Sequence, residues 1–145
     1  ITIIIMKTDT NVHRILEMDG VDRFNMIDAN QEVVHIAGII ADYGQETSWS
    51  HTVINSQSNS ATLICQMPGE GNREHHHPEW DEWWYIIKGQ WEWLIEGKTK
   101  VIIEGDVVFI ERNRKHRITA IGDSPAIRLA VSRYDVAHVY EKDSY

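Results

Sequence analysis

Two histidines and a glutamate stand at fixed intervals within a stretch that is otherwise rich in tryptophan and isoleucine. They are His75, His77 and Glu82, inside the run GEGNREHHHPEWDEWWYIIKG. Side chains two positions apart on an extended strand project from the same face, so His75 and His77 are predicted to point together and His76 away from them. Two imidazoles and a carboxylate that converge from neighbouring strands suit a divalent transition metal.

A third nitrogen donor would complete this set, and His116 in the segment ERNRKHRITA is placed to supply it. An ion held by three neutral imidazoles and one carboxylate keeps a net positive charge. With one or two positions open, it binds substrate oxygen, polarises a carbonyl, stabilises an enolate or activates water. The four residues therefore predict a metal site that is open to a substrate.

Short apolar runs separated by turn residues make up most of the chain after residue 47. Runs such as SWSHTVINS (48–56) and SATLICQMPG (60–69) each end at a turn signal. Roughly eight to ten short strands, with turn signals about every eight to twelve residues, predict an all-β sandwich or barrel. Side chains in a barrel alternate inward and outward, so histidines on two different strands can face one interior point.

The first 30 residues are weakly patterned. Turn signals such as Asp19-Gly20 predict a loose N-terminal arm over residues 1–30 that has room for one strand. The best helix candidate in the chain is VHRILEMDG (12–20), which is short and poorly capped, so no helix is predicted. Residues 31–145 are predicted to form a single barrel domain.

Two segments that flank the strand-rich region have ambiguous patterns. Residues 31–44, QEVVHIAGIIADYG, contain β-branched residues without a clean period, and a strand broken at Gly38 is predicted there. The polar tail AHVYEKDSY (137–145) is predicted to cover a sheet edge or to meet a partner.

Together, the two histidine-bearing segments resemble the paired motifs of the cupin superfamily, which are small-molecule-binding β-barrels of the double-sheet jelly-roll type. The family's first motif is Gly, five residues, His-x-His, three or four residues, Glu, six residues and Gly. Every element of that motif is matched, with four residues between the second histidine and the glutamate. The matching residues are Gly69, His75, His77, Glu82 and Gly89.

The second cupin motif is matched in part. It runs Gly, five residues, Pro-x-Gly, two residues, His, three residues and Asn, and Gly105 and His116 match at the required spacing. Glu111, Asn113 and Ala120 stand where the family has Pro, Gly and Asn. Asn tolerates the left-handed conformation that Gly would adopt, so these departures affect the turn more than the ligand.

The resemblance implies both a fold and a cofactor. The fold is an all-β double-stranded β-helix, or jelly-roll, cupin barrel. The cofactor is one divalent transition metal, Fe foremost, with Mn, Ni, Co and Zn as alternatives because the donor set does not choose among them. The metal ligands would be His75, His77, Glu82 and His116.

Five of the six tryptophans lie between residues 80 and 93. If Glu82 points into the barrel, Trp84 and Ile86 share its face, and after the next turn Trp91 and Trp93 share a face with each other. These rings either fill the core or a subunit contact, or wall a pocket for a flat or cyclic organic molecule.

Arg128 is the best candidate to bind a substrate carboxylate, because it lies in the apolar run IRLAV and a buried arginine requires an anion. Arg73 and Lys115 are further candidates, although such residues are more often solvated charges. The predicted substrate pocket comprises Trp84, Ile86, Trp91, Trp93 and Arg128.

Three further side chains are candidates for a catalytic acid or base, namely Tyr85, His51 and Tyr134. For His51, a satisfied strand histidine is the simpler interpretation. Cys65 is predicted to be a small buried apolar residue. The histidines without a spacing signal, assigned to surface or core, are His13, His35 and His138.

Three functions remain open on this scaffold, which hosts many chemistries. The leading hypothesis is a non-haem, oxygenase-like enzyme that acts on a small organic acid or ring compound held in a tryptophan-lined barrel. The second is a non-redox isomerase, decarboxylase or lyase that works through a metal-stabilised enolate. The third is a metal-dependent binding module for small molecules, without turnover.

Composition narrows the partners. Fourteen basic against 22 acidic residues give a formal net charge of −8, which disfavours nucleic acid and anionic membranes because both require a positive surface. The single cysteine fits a reducing compartment, and the apolar start ITIIIMK is too short to span a bilayer, so a cytoplasmic protein is expected. Cupins commonly pair through sheet edges, which implies a homodimer with Trp83 and Tyr85 at the contact.

Overall fold

The structure is a computed structural model that describes residues 5–141, so residues 1–4 and 142–145 lie outside the described part. Neither of its two short helices is long and apolar enough to cross a bilayer. The elements, in order, are β1 (Met6–Asp9), α1 (Val12–Met18), β2 (Arg23–Asn25), α2 (Ile36–Tyr43), β3 (Trp49–Asn55), β4 (Ser60–Gln66), β5 (Glu82–Lys88), β6 (Gln90–Ile95), β7 (Lys98–Ile103), β8 (Val107–Ile110), β9 (His116–Ile121), β10 (Ala126–Ser132) and β11 (His138–Glu141).

The strands form two facing layers. One layer is a six-stranded sheet in the order β2-β3-β4-β10-β5-β8. The other layer contains the three-stranded sheet β7-β6-β9 and the pair β1-β11. The segment 71–76 lies between them, because residues 71 and 75 form isolated bridges to β9 and residue 76 forms one to β11. The architecture is an all-β jelly roll, which confirms the predicted fold class.

Alternation along β5 places one carboxylate inside the barrel. Glu82, Trp84 and Ile86 are buried, whereas Trp83 and Tyr85 between them are exposed. This is the two-residue period of a strand that has one face on a core. The large side chains of β5 pack with those of β6 and β8 between the layers.

Two glycines allow close backbone approaches that position the histidine segment. Gly89 has φ +76° in the turn between β5 and β6, and a Cβ there would lie 2.8 Å from the backbone of β10. At Gly71, a Cβ would overlap the carbonyl group of Ile118, so only glycine lets this segment lie against β9. The second contact brings the segment that contains His75 next to His116.

The predicted loose arm contains β1, α1 and β2, and the prediction that it holds no helix is wrong. The Asn11 side chain caps α1 by accepting a hydrogen bond from the Arg14 backbone N–H at 3.0 Å. Leu16 then packs in a buried cluster with Val21 and Ile64. The helix is short, and it forms because the barrel wall buries one of its faces.

The segment predicted as a strand broken at Gly38 is the helix α2, so that prediction is also wrong. Ile36, Ile39, Ile40 and Tyr43 pack against the core cluster that includes Trp49. Their intervals of three and four residues are the period of an amphipathic helix. The isoleucines suggested a strand, but their spacing and the sheet beneath them determine the outcome.

The described part of the C-terminal tail forms β11, which runs antiparallel to β1 with Asp9 opposite His138. Two backbone hydrogen bonds of 3.2 and 2.9 Å also pair Val139 with His76. The described residues of the tail therefore cover a sheet edge, which is the first of the two predicted alternatives. The tail also brings His138 next to the histidine segment.

Candidate metal centre

The four predicted metal ligands lie together in the barrel interior. His75 and His77 precede β5, Glu82 begins β5, and His116 begins β9; all four are buried. Backbone hydrogen bonds of 3.1 and 2.9 Å join His75 and His116. Directly opposed residues of an antiparallel pair share a face, so the two imidazoles project to the same side, and their ring centroids are 4.4 Å apart.

Ligand atoms in this region form two overlapping triads. Those of His77, Glu82 and His116 lie within 4.8 Å of one another, and so do those of His75, His77 and His138. Because His77 belongs to both triads, the five side chains form one cluster. The histidines are positioned to bind a metal, while the role of each residue as a ligand stays a prediction.

Each imidazole of the cluster is oriented by a hydrogen bond between its Nδ1 atom and a backbone carbonyl 2.6–3.0 Å away. A carbonyl only accepts, so Nδ1 carries the proton and the Nε2 lone pair is available to an ion. The acceptors are Arg73 O for His75, Ala137 O for His77, Arg114 O for His116 and Val136 O for His138.

The donor geometry fits a cation. His77 Nε2 lies 2.9 Å from Glu82 Oε1, which is about the separation of two metal ligands at right angles with bonds near 2.1 Å. The buried Nε2 atom of His116 has no hydrogen-bond partner among the described residues. The other carboxylate oxygen of Glu82 accepts a hydrogen bond from Trp84 Nε1 at 3.0 Å, so the carboxylate is held with Oε1 toward the cluster.

Burial keeps three of the imidazoles neutral. Burial, and then the neighbouring histidines, lower the pKa of His75 well below its ordinary value. Burial is also the largest reason why the pKa of His116 falls to about 4 and that of His138 to about 3. Neutral imidazole is the form that binds metals, so these side chains are ready to do so at neutral pH.

In Glu82 and His77 the pKa shifts favour the charged form of each side chain, because the two side chains face each other. Burial opposes ionisation of Glu82, but the interaction with His77 lowers its pKa to about 2. Burial also opposes protonation of His77, yet the hydrogen bond and charge of Glu82 outweigh it and the pKa of His77 is raised. The pair is therefore suited to hold one positively charged species between the two side chains, either a proton or a metal ion.

A small cavity of about 60 Å³ adjoins the cluster. Its lining includes three side chains of the cluster, together with Trp84, Arg128 and one face of α1; the three are His75, Glu82 and His138. At roughly 10–15 Å³ for each water, this volume holds about four to six waters. A small organic acid fits such a space, whereas a large ring system does not.

Arg128 is a buried cation in the wall of this cavity. Its Nη1 donates to Gln66 Oε1 at 2.7 Å, and its guanidinium lies 5.2 Å from the ring centre of Trp84 and 4.8 Å from that of Trp91. Within residues 5–141, Nε has no hydrogen-bond partner and no carboxylate lies at ion-pair distance. Burial lowers the pKa of Arg128 to about 10, so it remains charged at neutral pH.

Only two of the five predicted pocket residues, Trp84 and Arg128, line this cavity. Ile86, Trp91 and Trp93 belong to the packed core instead, because large rings fill the space between the layers. They still support the site, since Trp91 lies beneath the Arg128 guanidinium and the Trp93 ring lies 5.5 Å from that of His116.

None of the three candidate acids or bases lines the cavity. Tyr85 is exposed on the outer face of β5, and Tyr134 is exposed after β10. His51 is on β3, where its Nδ1 lies 3.0 Å from the hydroxyl of Tyr43 on α2. The simpler interpretation of His51, a satisfied strand histidine, matches this contact.

The other cationic candidates for substrate binding are paired with acids. Arg73 Nε donates to buried Asp19 Oδ1 at 2.5 Å, and Lys115 Nζ lies 2.6 Å from Glu141 Oε1 near the surface. Burial raises the pKa of Asp19 despite its pairing with Arg73. Arg133 also lines the cavity, but it is paired with Asp135. Arg128 is therefore the lining cation that has no carboxylate partner among the described residues.

The fold and the donor set define a double-stranded β-helix protein with histidines positioned to bind a metal. Residues 62–132 match the family model of the cupin domain. The chain belongs to the cupin superfamily. A comparison with curated protein sequences gives no significant match.

Solved structures extend the similarity. A conserved protein with a double-stranded β-helix domain from Klebsiella pneumoniae is 17% identical, with a TM-score of 0.64 over 77% of this chain and 92% of that one. An oxalate decarboxylase from Lactobacillus farciminis, solved as a formate complex, is 28% identical, with a TM-score of 0.52 over 60% of this chain and 27% of that one. A predicted oxalate decarboxylase from Thermotoga maritima is 27% identical, with a TM-score of 0.51 over 53% and 67% of the two chains.

Proposed function

We propose that this cupin is a metal-dependent enzyme that acts on a small organic acid, whose carboxylate binds between the histidine cluster and Arg128. The observation that carries the proposal is the buried Arg128 guanidinium, which shares one cavity with His75, Glu82 and His138. A desolvated cation without a counterion is costly. A substrate carboxylate would supply that counterion.

The residues around the cavity would orient the acid in defined ways. Gln66 and the two tryptophan rings hold the Arg128 guanidinium in place, and its Nε–H is left to donate to a substrate oxygen. Trp84 holds Glu82 by its Oε2 atom. A divalent metal bound by the cluster would polarise a carboxyl or carbonyl oxygen and stabilise negative charge that develops on the substrate.

The support is strongest for non-redox chemistry, namely decarboxylation, isomerisation or lyase cleavage. The oxalate decarboxylase and the predicted oxalate decarboxylase named above are 28% and 27% identical to this chain. The cavity of about 60 Å³ also favours a short acid over a ring compound. An oxygenase-like reaction with Fe is the second candidate, because three imidazoles and one carboxylate also suit that metal.

A turnover screen tests the proposal and separates these candidates. Metal-stripped protein is reloaded with Mn(II) or with Fe(II) and incubated with oxalate, malonate, pyruvate and other short acids. Product formation without net uptake of O₂ supports the non-redox reaction. Consumption of one O₂ molecule for each substrate molecule supports the oxygenase. Acid binding without any product would instead indicate a binding module. If Arg128→Gln kept both the acid affinity and the turnover of the wild type, the assigned site would be wrong.

A further inference from the structure

One more imidazole faces the cluster beyond those that the cupin motifs supply. His138 lies on β11, outside residues 62–132 that match the cupin model. Its ring stacks on that of His75 with centroids 4.7 Å apart, and it meets the ring of His77 edge-on at 4.5 Å. The ligand atoms of the three histidines lie within 4.8 Å of one another.

We propose that His138 is a ligand of the same metal centre, which rests on the metal dependence proposed above. Its Nδ1 is bound to the carbonyl of Val136 at 3.0 Å. His75 and His116 are held in the same way, each by the carbonyl two residues earlier. The free Nε2 lone pair of His138 is therefore prepared for an ion as theirs are.

The position of His138 is set by strands. Val139 pairs with His76 on one side of β11, and Asp9 of β1 lies opposite His138 on the other. The neighbouring carbonyl of Ala137 also accepts the hydrogen bond from His77 Nδ1 at 2.9 Å. Residues 136–138 thus orient two imidazoles of the cluster, so β11 is part of the metal centre.

The ligand atoms define the side from which His138 would bind. They form two triads that share His77, one with His75 and His138 and the other with Glu82 and His116. Two donors to one ion are at most about 4.2 Å apart, which is twice a metal–nitrogen bond. His138 would therefore bind an ion together with His75 and His77.

Co(II) binding tests the assignment without any assay of activity. Metal-stripped wild type, His138→Phe and His138→Gln are titrated with Co(II) by calorimetry, and the visible absorption of the bound ion is recorded. We expect both variants to bind Co(II) at least about 10-fold more weakly, with a changed absorption spectrum because the ligand field changes. His76→Phe is the matched control, since His76 is adjacent in space but outside the cluster, and it should retain wild-type affinity and spectrum.

The possible results are distinct. Wild-type affinity and an unchanged spectrum in both His138 variants would overturn the proposal. The proposal would also be overturned if the metal-free variants had a lowered thermal midpoint while their Co(II) spectrum stayed unchanged. That result would assign His138 a structural role alone. Failure of the wild type itself to bind Co(II) would refute the metal-dependent function from which the inference starts.

Discussion

At the residue scale, Glu82 carries the only negative charge in the histidine cluster of the described chain. We predict that Glu82→Gln loses most of its bound metal, because the amide keeps the shape of the carboxylate but removes the charge that offsets the ion. Elemental analysis of the purified protein measures the metal content, and circular dichroism should show a folded barrel.

The exposed Glu79 is a matched control for this substitution. Glu79→Gln removes the same charge three residues earlier in the chain, on the surface, and it should keep the wild-type metal content. Stoichiometric metal in Glu82→Gln would show that Glu82 is not a ligand.

Arg128 makes a second prediction at this scale. Arg128→Gln should weaken binding of a short carboxylate to the metal-loaded protein by about 10- to 100-fold, because hydrogen bonds to charged groups contribute about 1.5–3 kcal/mol. Metal content should be unchanged, since Arg128 contacts Gln66 and tryptophan rings and is not among the clustered ligands.

Calorimetric titration with oxalate or malonate measures this effect. Arg117→Gln is the control, because Arg117 is an exposed arginine on β9. Equal carboxylate affinity in Arg128→Gln and in the wild type would contradict the role of Arg128 in binding the acid.

At the scale of single elements, α1 lines the cavity and depends on its cap. Asn11→Ala should lower the free energy of unfolding by about 1 kcal/mol, because it removes the acceptor for the Arg14 N–H. Asn11→Asp keeps a side-chain acceptor and should be close to wild type. Urea unfolding followed by circular dichroism measures both, and equal stability of Asn11→Ala and the wild type would show that the cap is unimportant.

The strands and the motif residues could be predicted from the sequence because their patterns are local. The alternation of buried and exposed side chains around Glu82 appears in the sequence as it does in β5. The motif spacing predicted that His75 and His116 belong to one site, and backbone hydrogen bonds place these residues opposite each other.

The helices and His138 could not be predicted in this way because tertiary contacts determine them. α1 and α2 are seven and eight residues long, which is too short to be stable alone, so burial against the barrel decides their structure. His138 reaches the cluster only because β11 pairs with His76 and with β1. Two local signals were present, namely the Asn11 cap before α1 and the helical spacing of the apolar residues in α2.

At the scale of the whole molecule, the buried cluster makes stability depend on pH. In the metal-free protein the pKa of His116 is about 4 and that of His138 about 3, whereas in the unfolded chain both are near 6.5. The unfolded state therefore binds more protons below pH 6.5, and stability falls as the pH falls from about 6.5 to about 4. The raised pKa of His77 acts in the opposite sense. It is outweighed because three histidines, His75, His116 and His138, have a lowered pKa.

Urea midpoints of chelator-treated protein at neutral pH and near pH 5 measure this dependence, with the lower midpoint expected at the acidic pH. His138→Gln should show a shallower dependence, because one of the groups that resists protonation is gone. A midpoint that is equal or higher at the acidic pH would contradict the neutral state of the cluster.

The outer face of the six-stranded sheet leads to a prediction about assembly. Trp83 lies opposite Phe109, and Tyr85 opposite Val107, on β5 and the terminal strand β8. All four side chains are exposed, Phe109 by 61% and Val107 by 66%. A contiguous apolar patch on a sheet edge is typical of a protein contact surface, so we expect two copies of the chain to pair through it.

Sedimentation at micromolar concentration should therefore give twice the mass of one 16.8 kDa chain. Phe109→Lys should shift the protein to the mass of one chain, because a charge at the centre of the patch would be buried without a partner in the dimer. Ile54→Lys is the control, since Ile54 is exposed on β3, outside the patch. A wild-type protein with the mass of a single chain would refute the dimer, and the patch would then have to serve another partner.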